Sequence, residues 1–415
     1  VTTTSPWLAD VPAQWKVVPL RHLADVETGS ADTQDATPDG EYPFVVRSPL
    51  VQAINYFTHD GEAILTPGDG DVGRVFHHLD GKFTAHQRVY VLSNFRAITG
   101  RFAYYAFSAT FHYATESGTA KSTVDSLRRP MLTSFPLPVP PMETQRVIAS
   151  FLDRETAKID ALIAKQDALV AALRDRRESA VMAAVTGKGS TGPRRDSGIR
   201  WIAEIPEHWQ VGNIRRYATM HSGHTPSRQV PEFWEDCTIP WFTLADVWQL
   251  RDDTQIHLGE TSESISELGL RHSSAELLPA GTVALSRTAS VGFSGIMPVP
   301  MATSQDFWNW VCGPELLPEF LLRVFRAMRR EMRSLMAGST HQTIYKTDAA
   351  SFIIPVPPLD EQRDIVEHLQ QDLGRMDALV DRAIALVAML RERRAALITA
   401  AVTGRLDVTT YGKAG

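Results

Sequence analysis

The chain is written twice, and that duplication constrains its fold more than any other feature. Residues 135–187 read FPLPVPPMETQRVIASFLDRETAKIDALIAKQDALVAALRDRRESAVMAAVTG, and residues 352–404 read FIIPVPPLDEQRDIVEHLQQDLGRMDALVDRAIALVAMLRERRAALITAAVTG. Setting Phe135 on Phe352 superposes them without a gap, so that Pro138 falls on Pro355, Gln145 on Gln362, Asp160 on Asp377, Arg174 on Arg391 and Gly187 on Gly404. A shorter repeat opens each half, WLADVPAQW from Trp7 to Trp15 and WIAEIPEHW from Trp201 to Trp209. The order is opening motif, dissimilar block, long repeat, then all three again, which predicts two modules on one plan.

Each long repeat reads as a single helix. It begins after a proline pair, Pro140-Pro141 or Pro357-Pro358, where a fixed φ and a missing donor suit a helix start. It stops at Thr-Gly, where Gly187 and Gly404 are free to turn left-handed. Between these points there is no proline, and alanine, leucine, arginine and glutamate dominate. A helix of about 44 residues is roughly 65 Å long. Met376, Ala383, Leu390 and Leu397 recur at heptad spacing, flanked by Leu379, Leu386, Val380 and Val387. The first copy has Ile159, Gln166, Leu173 and Ala180, with Leu162, Ile163, Leu169 and Val170 between. That rhythm predicts a coiled coil of the two helices; the alternative is two amphipathic helices on separate cores. A two-fold axis across the rods makes them antiparallel and sends the dissimilar blocks to opposite ends.

The blocks, about residues 17–136 and 211–353, mix β-type runs (YPFVV, RVYVL, TVALS, FIIPV) with Gly-, Pro- and Asp-rich turns and helical stretches. GDGDVGRV from Gly68 pairs loosely with ALSRTASVG from Ala284, and TAHQRVYVL from Thr84 with ATSQDFWNWV from Ala302. SGTAKSTV at Ser117 and AGSTHQTI at Ala337 stand at equivalent places before the long helices. The expected fold is therefore α+β: two mixed α/β domains separated by two long helices in an antiparallel coiled coil, with a pseudo-two-fold internal duplication. The expected boundaries are 1–140 and 188–357 for the mixed domains, 141–187 and 358–404 for the helices, and 405–415 for a tail.

Composition excludes several classes. A chain with 43% hydrophobic and 22% charged residues folds. It shows no signal-peptide pattern at its start and no apolar run near the roughly 20 residues of a membrane helix, so a cytoplasmic protein is expected. Cys237 and Cys312 form neither a zinc site nor a disulfide framework. There is no phosphate-binding G-x-x-x-x-G-K-S/T loop, no methyltransferase cofactor loop or N/D-P-P-aromatic motif, and no nucleophile elbow at GFSG. The LDGK run at Leu79 lacks a second carboxylate and reads as a turn. No catalytic or metal constellation is expected. The net charge of −6 argues against holding DNA by bulk attraction.

This pattern, a variable block, a helix opening P-P-x-x-E-Q and closing near T-G, then both again, resembles the DNA-specificity subunits of Type I restriction-modification systems over almost the whole chain. The resemblance implies that each block is a target-recognition domain reading one part of a split double-stranded DNA site. It also implies that the helices serve as ruler and docking surface for two modification (methyltransferase) subunits, with restriction/translocase subunits joining. The chain itself would need no cofactor, S-adenosylmethionine being bound by the methyltransferase. Partner contacts are then expected at the helix starts, from Glu143, Gln145 and Arg146 and from Glu361, Gln362 and Arg363. The first copy departs from the pattern with Thr144 opposite Glu361, and Glu143 is the neighbouring substitute.

DNA readout needs donors and acceptors held against base edges, with cations fixing the register on phosphates. In the first block the candidates are Arg74, Lys82, His86 and Arg88 beside Gln87, and Lys121 in the TAKST loop. In the second they are Ser286, Arg287, Thr288 and Gln305, with His341, Gln342 and Lys346 of HQTIYK. Each also reads as an ordinary turn or hairpin residue. The Arg323, Arg326, Arg329, Arg330 and Arg333 series is either a basic face toward DNA or a solvated helix face. The repeated Arg174, Arg176 and Arg177, and Arg391, Arg393 and Arg394, either meet partners or DNA or pair with Glu178 and Glu392 along the helix. A rival to the whole reading is a coiled-coil scaffold that binds only proteins.

Overall fold

The computed structural model describes residues 9, 11–116, 126–335 and 343–408. The chain divides into two compact units, Val1–Asp167 with Ile384–Gly415, and Ala168–Ala383. The division runs through both long helices, so each unit is a mixed module together with part of each helix.

Unit 1 contains strands β1 (Lys16–Pro19), β2 (Asp25–Thr28), β3 (Tyr42–Val45), β4 (Val51–Ile54), β5 (His59–Asp60), β6 (Ala63–Pro67), β7 (His77–Leu79), β8 (Lys82–Ala85) and β9 (Val89–Ser93). Helices α1 (Gly100–Thr110), α2 (His112–Glu116) and α3 (Arg129–Thr133), strand β10 (Pro136–Val139) and the long α4 (Met142–Val185) follow. Its sheets run β2-β9-β6-β7 and β4-β3-β8-β5, while β1 pairs with β10. The period-2 alternation of β6 explains its burial on both faces. Ile64 faces a core with Phe102, Phe107 and Phe111 of the α1 region, whereas Ala63 and Leu65 face Val45, Phe83 and Ala85 of the second sheet.

Unit 2 contains β11 (Arg194–Ile199), β12 (Ile202–Pro206), β13 (Gln210–Asn213), β14 (Ala218–Ser222), β15 (Ile239–Phe242), β16 (Glu263–Ile265), α5 (Glu267–Arg271), β17 (Val283–Ser286) and β18 (Ser294–Ile296). It continues with β19 (Ala302–Thr303), β20 (Phe307–Cys312), α6 (Pro318–Ala327), α7 (Arg329–Ser334), α8 (Lys346–Ala350), β21 (Ile353–Val356) and the long α9 (Leu359–Val402). Its sheets run β14-β20-β17-β18 and β16-β15-β19, with β13 on β21. Taken in chain order, β13 to β21 repeat the strand order of unit 1 without an equivalent of β5, down to the one parallel strand pairing, β3 with β8 and β15 with β19, and unit 2 adds the β11-β12 hairpin. Val283 and Leu285 face the α6 core and Ala284 the opposite one, as the residues of β6 do.

The long helices run where the proline pairs and glycines predict. Gly187 and Gly404 take φ of 61° and 77°, and Thr186 and Thr403 return their hydroxyls to Met182 O (2.8 Å) and Thr399 O (2.7 Å). In unit 1, Ile148 and Leu152 share a core with Ile398 and Val402, and Arg394 Nε lies 2.8 Å from Asp160 Oδ1. In unit 2, Val181 and Val185 share a core with Leu369 and Leu373, and Arg177 Nε lies 3.1 Å from Asp377 Oδ1. Within each unit the two helix segments are therefore antiparallel. The buried stripe is narrower than the heptad reading: Ile159, Val170, Leu173, Ala383, Val387 and Leu390 are buried, but Leu162, Leu169, Leu379 and Leu386 remain exposed. Among the described residues no helix is long and apolar enough to cross a membrane.

The opening motifs find a role here. A Cβ on Gly404 would lie 2.5 Å from Pro12 and 3.1 Å from Trp15, and one on Gly187 would lie 2.6 Å from Pro206 and 2.9 Å from Trp209. Each Pro-x-x-Trp thus seats the glycine that ends a long helix, the first motif on α9 and the second on α4.

Candidate nucleic-acid interface

The shared strand order brings the same two connections to the same place in each module. In unit 1 they are the loop from β6 to β7 and the turn from β8 to β9; in unit 2, the loop from β17 to β18 and the turn from β19 to β20. Each loop is tied to the segment before the following short helix. Asp69 bridges Ser126 and Leu127 N donates to Gly68 O (2.8 Å), while Thr288 bridges Thr343 and Ile344 N donates to Arg287 O (2.9 Å). Polar loops on rigid sheets are where recognition residues belong.

In unit 1, Arg74 and Lys82 are exposed, the latter with Nζ 4.5 Å from the Phe57 ring centroid. Exposed Arg88 lies 2.9 Å from Asp69, which also holds Arg47 at 3.0 Å. Burial works against the Asp69 carboxylate, but hydrogen bonds from Arg47 and Arg88 outweigh it and hold its pKa below the usual range. Gln87 donates to Asp32. His86 corrects the expectation of a base reader: it is 4% exposed, its Nδ1 accepts from Arg88 N, and burial lowers its pKa. It shapes the turn that presents Arg88.

In unit 2, Arg287 is half-buried, its guanidinium 4.3 Å from the Trp308 ring centroid and its Nε donating to Gln305 O at 2.7 Å. Burial lowers its pKa. Gln305 is exposed and accepts from Thr225 Oγ1, Thr288 is partly exposed, and Lys346 is exposed at the start of α8. Ser286 is the second correction: it ends β17 fully buried, behind Arg287. Lys121, His341 and Gln342 lie outside the described residues. Two residues escaped the sequence reading. Arg47 belongs to the Asp69 cluster, and Arg228 stacks 3.8 Å from the Trp234 centroid while reaching Glu263. The one arginine six residues before Trp234 in SRQVPEFW was the available signal for Arg228.

The helix starts separate into inward and outward residues. Gln145 and Gln362, expected to face partners, are fully buried. Gln145 accepts from Thr99 N (2.8 Å) and donates to Ala97 O and Pro140 O; Gln362 accepts from Leu317 N (2.9 Å) and donates to Glu315 O and Pro357 O. Every amide group is engaged inside its own unit, so these residues lock module to helix. Glu361 accepts from His208 Nε2 (2.6 Å) and Trp209 Nε1 (2.8 Å). Glu143 does not take that place in the first copy: it is exposed and lies 3.5 Å from Arg146. Arg363 is exposed beside Asp360 (2.6 Å).

The arginine series on α6 and α7 is neither a DNA-facing stripe nor a solvated face at its start. Arg323 and Arg326 are 2% and 7% exposed, and Arg329 clamps Asp253 through two bonds of 2.6 and 2.7 Å. Glu178 pairs with Arg330 (3.2 Å), while Arg177 and Arg394 pair with the other long helix and not along their own.

The chain matches the family model described as Type I restriction modification DNA specificity domain twice, over residues 12–170 and 206–380. It is 22% identical over 428 residues to the Type I restriction enzyme EcoDI specificity subunit of Escherichia coli, covering 95% of this chain and 89% of that one. The MjaIX specificity subunit of Methanocaldococcus jannaschii is 28% identical over 166 residues, 40% of this chain and 38% of that one. Among solved structures, a chain from work on complex assembly and conformational transition of the type I R-M system aligns with a TM-score of 0.68 at 18% identity, covering 95% of this chain and 99% of that one. The HsdS subunit from Thermoanaerobacter tengcongensis aligns with a TM-score of 0.51 at 16% identity, covering 95% and 98%. Those structures share the fold. With one family match for each module, the chain belongs to the Type I restriction-modification DNA specificity family.

Proposed function

We propose that the chain is the non-catalytic sequence reader of a Type I restriction-modification complex, each unit reading one half of a bipartite, asymmetric double-stranded DNA site. The two long helices form an antiparallel coiled coil, related by a pseudo-two-fold, that sets the distance between half-sites at about one helical turn (~34 Å). The same helices dock two modification subunits and, beyond them, restriction subunits. S-adenosylmethionine and the flipping of a target base belong to the modification subunits.

The observation that carries the reading is one strand order bearing different polar residues at the same loops. Arg47, Asp69 and Arg88 stand in one module, Arg287 on Trp308 beside Gln305 in the other. A guanidinium fixed by a ring and a carbonyl is suited to a bidentate contact with guanine. Arg74, Lys82, Arg88 and Lys346, exposed on flexible stems, suit phosphates, and Lys121, His341 and Gln342 remain candidates for the same surface. Asp160–Arg394 and Asp377–Arg177 support the two-fold, since the sequence repeat maps one pair onto the other. The net charge of −6 favours a second reading, a scaffold that binds only proteins. Methylation mapping in cells carrying this chain and a partner methyltransferase separates the two. Exchanging residues 17–136 for another variant's block changes only one half of a bipartite methylated motif if each unit reads a half-site. Methylation indifferent to the exchange leaves the scaffold.

A further inference from the structure

We propose that unit 2 carries a pocket for a phosphate-bearing anion, floored by the guanidinium groups of Arg177, Arg326 and Arg329 and rimmed by those of Arg174, Arg251 and Arg333. Arg329 also touches the β17–β18 loop, its Nε donating to Gly292 O (3.3 Å) and its guanidinium 4.6 Å from the Phe293 ring centroid, but the proposal does not depend on the half-site reading. The cavity, about 610 Å³, is lined by seven arginines against three carboxylates. In a chain of net charge −6 this excess is a local arrangement. All three carboxylates are engaged: Asp253 by Arg329, Glu178 by Arg330, and Asp252 by the backbone and hydroxyl of Thr254. Arg174, Arg251 and Arg333 are exposed and have no ion-pair partner among the described residues.

The floor is built, not incidental. Asp253 sits in the left-handed region at φ 60°, held there by three arginines: Arg177 and Arg326 donate to its carbonyl, and Arg329 grips its carboxylate. Behind it, Arg323 and Arg326 are more than nine-tenths buried, and the Nε of each lacks a hydrogen-bond partner. Arg326 Nε is 3.5 Å from Asp253 Oδ1, close enough for attraction but outside bonding geometry. Burial lowers the pKa of both groups, and neighbouring Arg177 lowers that of Arg323 further. Buried cations require counter-charge. Asp253, Asp377 and Glu319 supply three carboxylates for Arg177, Arg323, Arg326 and Arg329, so one positive charge is left over.

Several guanidinium forks around one cavity match the spread, multiple charge of linked phosphates better than a single carboxylate. Among the described residues that line the cavity none is aromatic, so recognition rests on the phosphates. Among the described residues unit 1 shows no such arginine cluster at the equivalent place. Counting from the residues that Gln145 and Gln362 hold, Thr99 and Leu317, the position of Arg323 is filled by Tyr105, whose hydroxyl donates to Asp153 at 2.7 Å.

Calorimetric titration of the full chain with inorganic tripolyphosphate tests this. One saturable site is expected, weakened at least ~10-fold in the Arg251→Ala/Arg333→Ala double variant, whose exposed positions leave the fold intact by circular dichroism. Duplex DNA as competitor identifies the source. Displacement of tripolyphosphate by duplexes of any sequence, with a shallower salt dependence in the variant, assigns the phosphates to the DNA backbone. Simultaneous binding, with duplex affinity unchanged in the variant, assigns a free oligophosphate. Absence of saturable tripolyphosphate binding together with unchanged duplex affinity overturns the proposal. So does hexaglutamate binding as tightly as tripolyphosphate, which gives the pocket to an acidic protein segment.

Discussion

Units 1 and 2 have one strand order but different furnishings, and the pattern of what is shared separates scaffold from readout. Shared are the groups that fasten a module to the helices: Gln145 and Gln362 in their buried sockets, the Pro-Trp seats on Gly404 and Gly187, and the ion pairs of Asp160 and Asp377. Different are the loops and the inner face of the helix after the sheet. Unit 1 sets Tyr105, Asp153 and Arg101 there as a hydrogen-bonded group; unit 2 sets buried arginines. Attachment is held constant while surface chemistry changes, which is what the proposed half-site reading requires.

The glycine seats offer the hardest test of that equivalence. Gly404→Val and Gly187→Val each force a branched residue to positive φ and against a proline, which should cost about 4 kcal/mol. Hydrogen exchange should register the loss in unit 1 for the first and unit 2 for the second; loss in the opposite units would break the pairing of motif with helix end. The glutamine sockets come next. Gln145→Leu and Gln362→Leu leave one buried N–H and two carbonyls without partners and should each cost about 3 kcal/mol in urea unfolding. Costs differing by more than about 1 kcal/mol would mean that the sockets are alike only in geometry.

Arg287→Ala probes what differs. Under the half-site reading it should weaken DNA binding by about 2 kcal/mol and relax one position in one half of the motif, as read by competition with point-substituted duplexes. Arg88→Ala, already paired to Asp69, should weaken all sequences alike and by less. The ion pairs give the smallest effect. Arg177 and Asp377 are 13% and 29% exposed at their side chains, against 34% and 51% for Arg394 and Asp160. Asp377→Asn should therefore cost about 1 kcal/mol and Asp160→Asn below about 0.5 kcal/mol, the second vanishing at high salt. Equal costs would remove burial as the cause.

Much of the architecture was legible because it was written twice. The bounds of α4 and α9 follow from proline pairs and Thr-Gly ends, and the strands at Tyr42, Val89, Val283 and Ile353 from apolar runs between turns. The buried arginines were not legible, since spacing alone cannot distinguish an arginine facing water from one folded over a backbone carbonyl such as that of Asp253. Gln145 and Gln362 misled for the same reason. A polar residue after Pro-Pro looks like surface until the strand order brings Thr99 N and Leu317 N beside it. Leu162, Leu169, Leu379 and Leu386 satisfied a heptad by spacing, yet pairing buried only the stripe beside them.

The two glycine seats also differ in the length of chain they close. Pro206 and Trp209 lie about 20 residues beyond Gly187, whereas Pro12 and Trp15 lie about 390 residues before Gly404, and the entropy of joining chain ends grows with the logarithm of that length. From an unfolded chain the longer closure costs about 2.7 kcal/mol more. The seat at Gly187 therefore closes a local loop, while the one at Gly404 ties together residues almost the whole sequence apart.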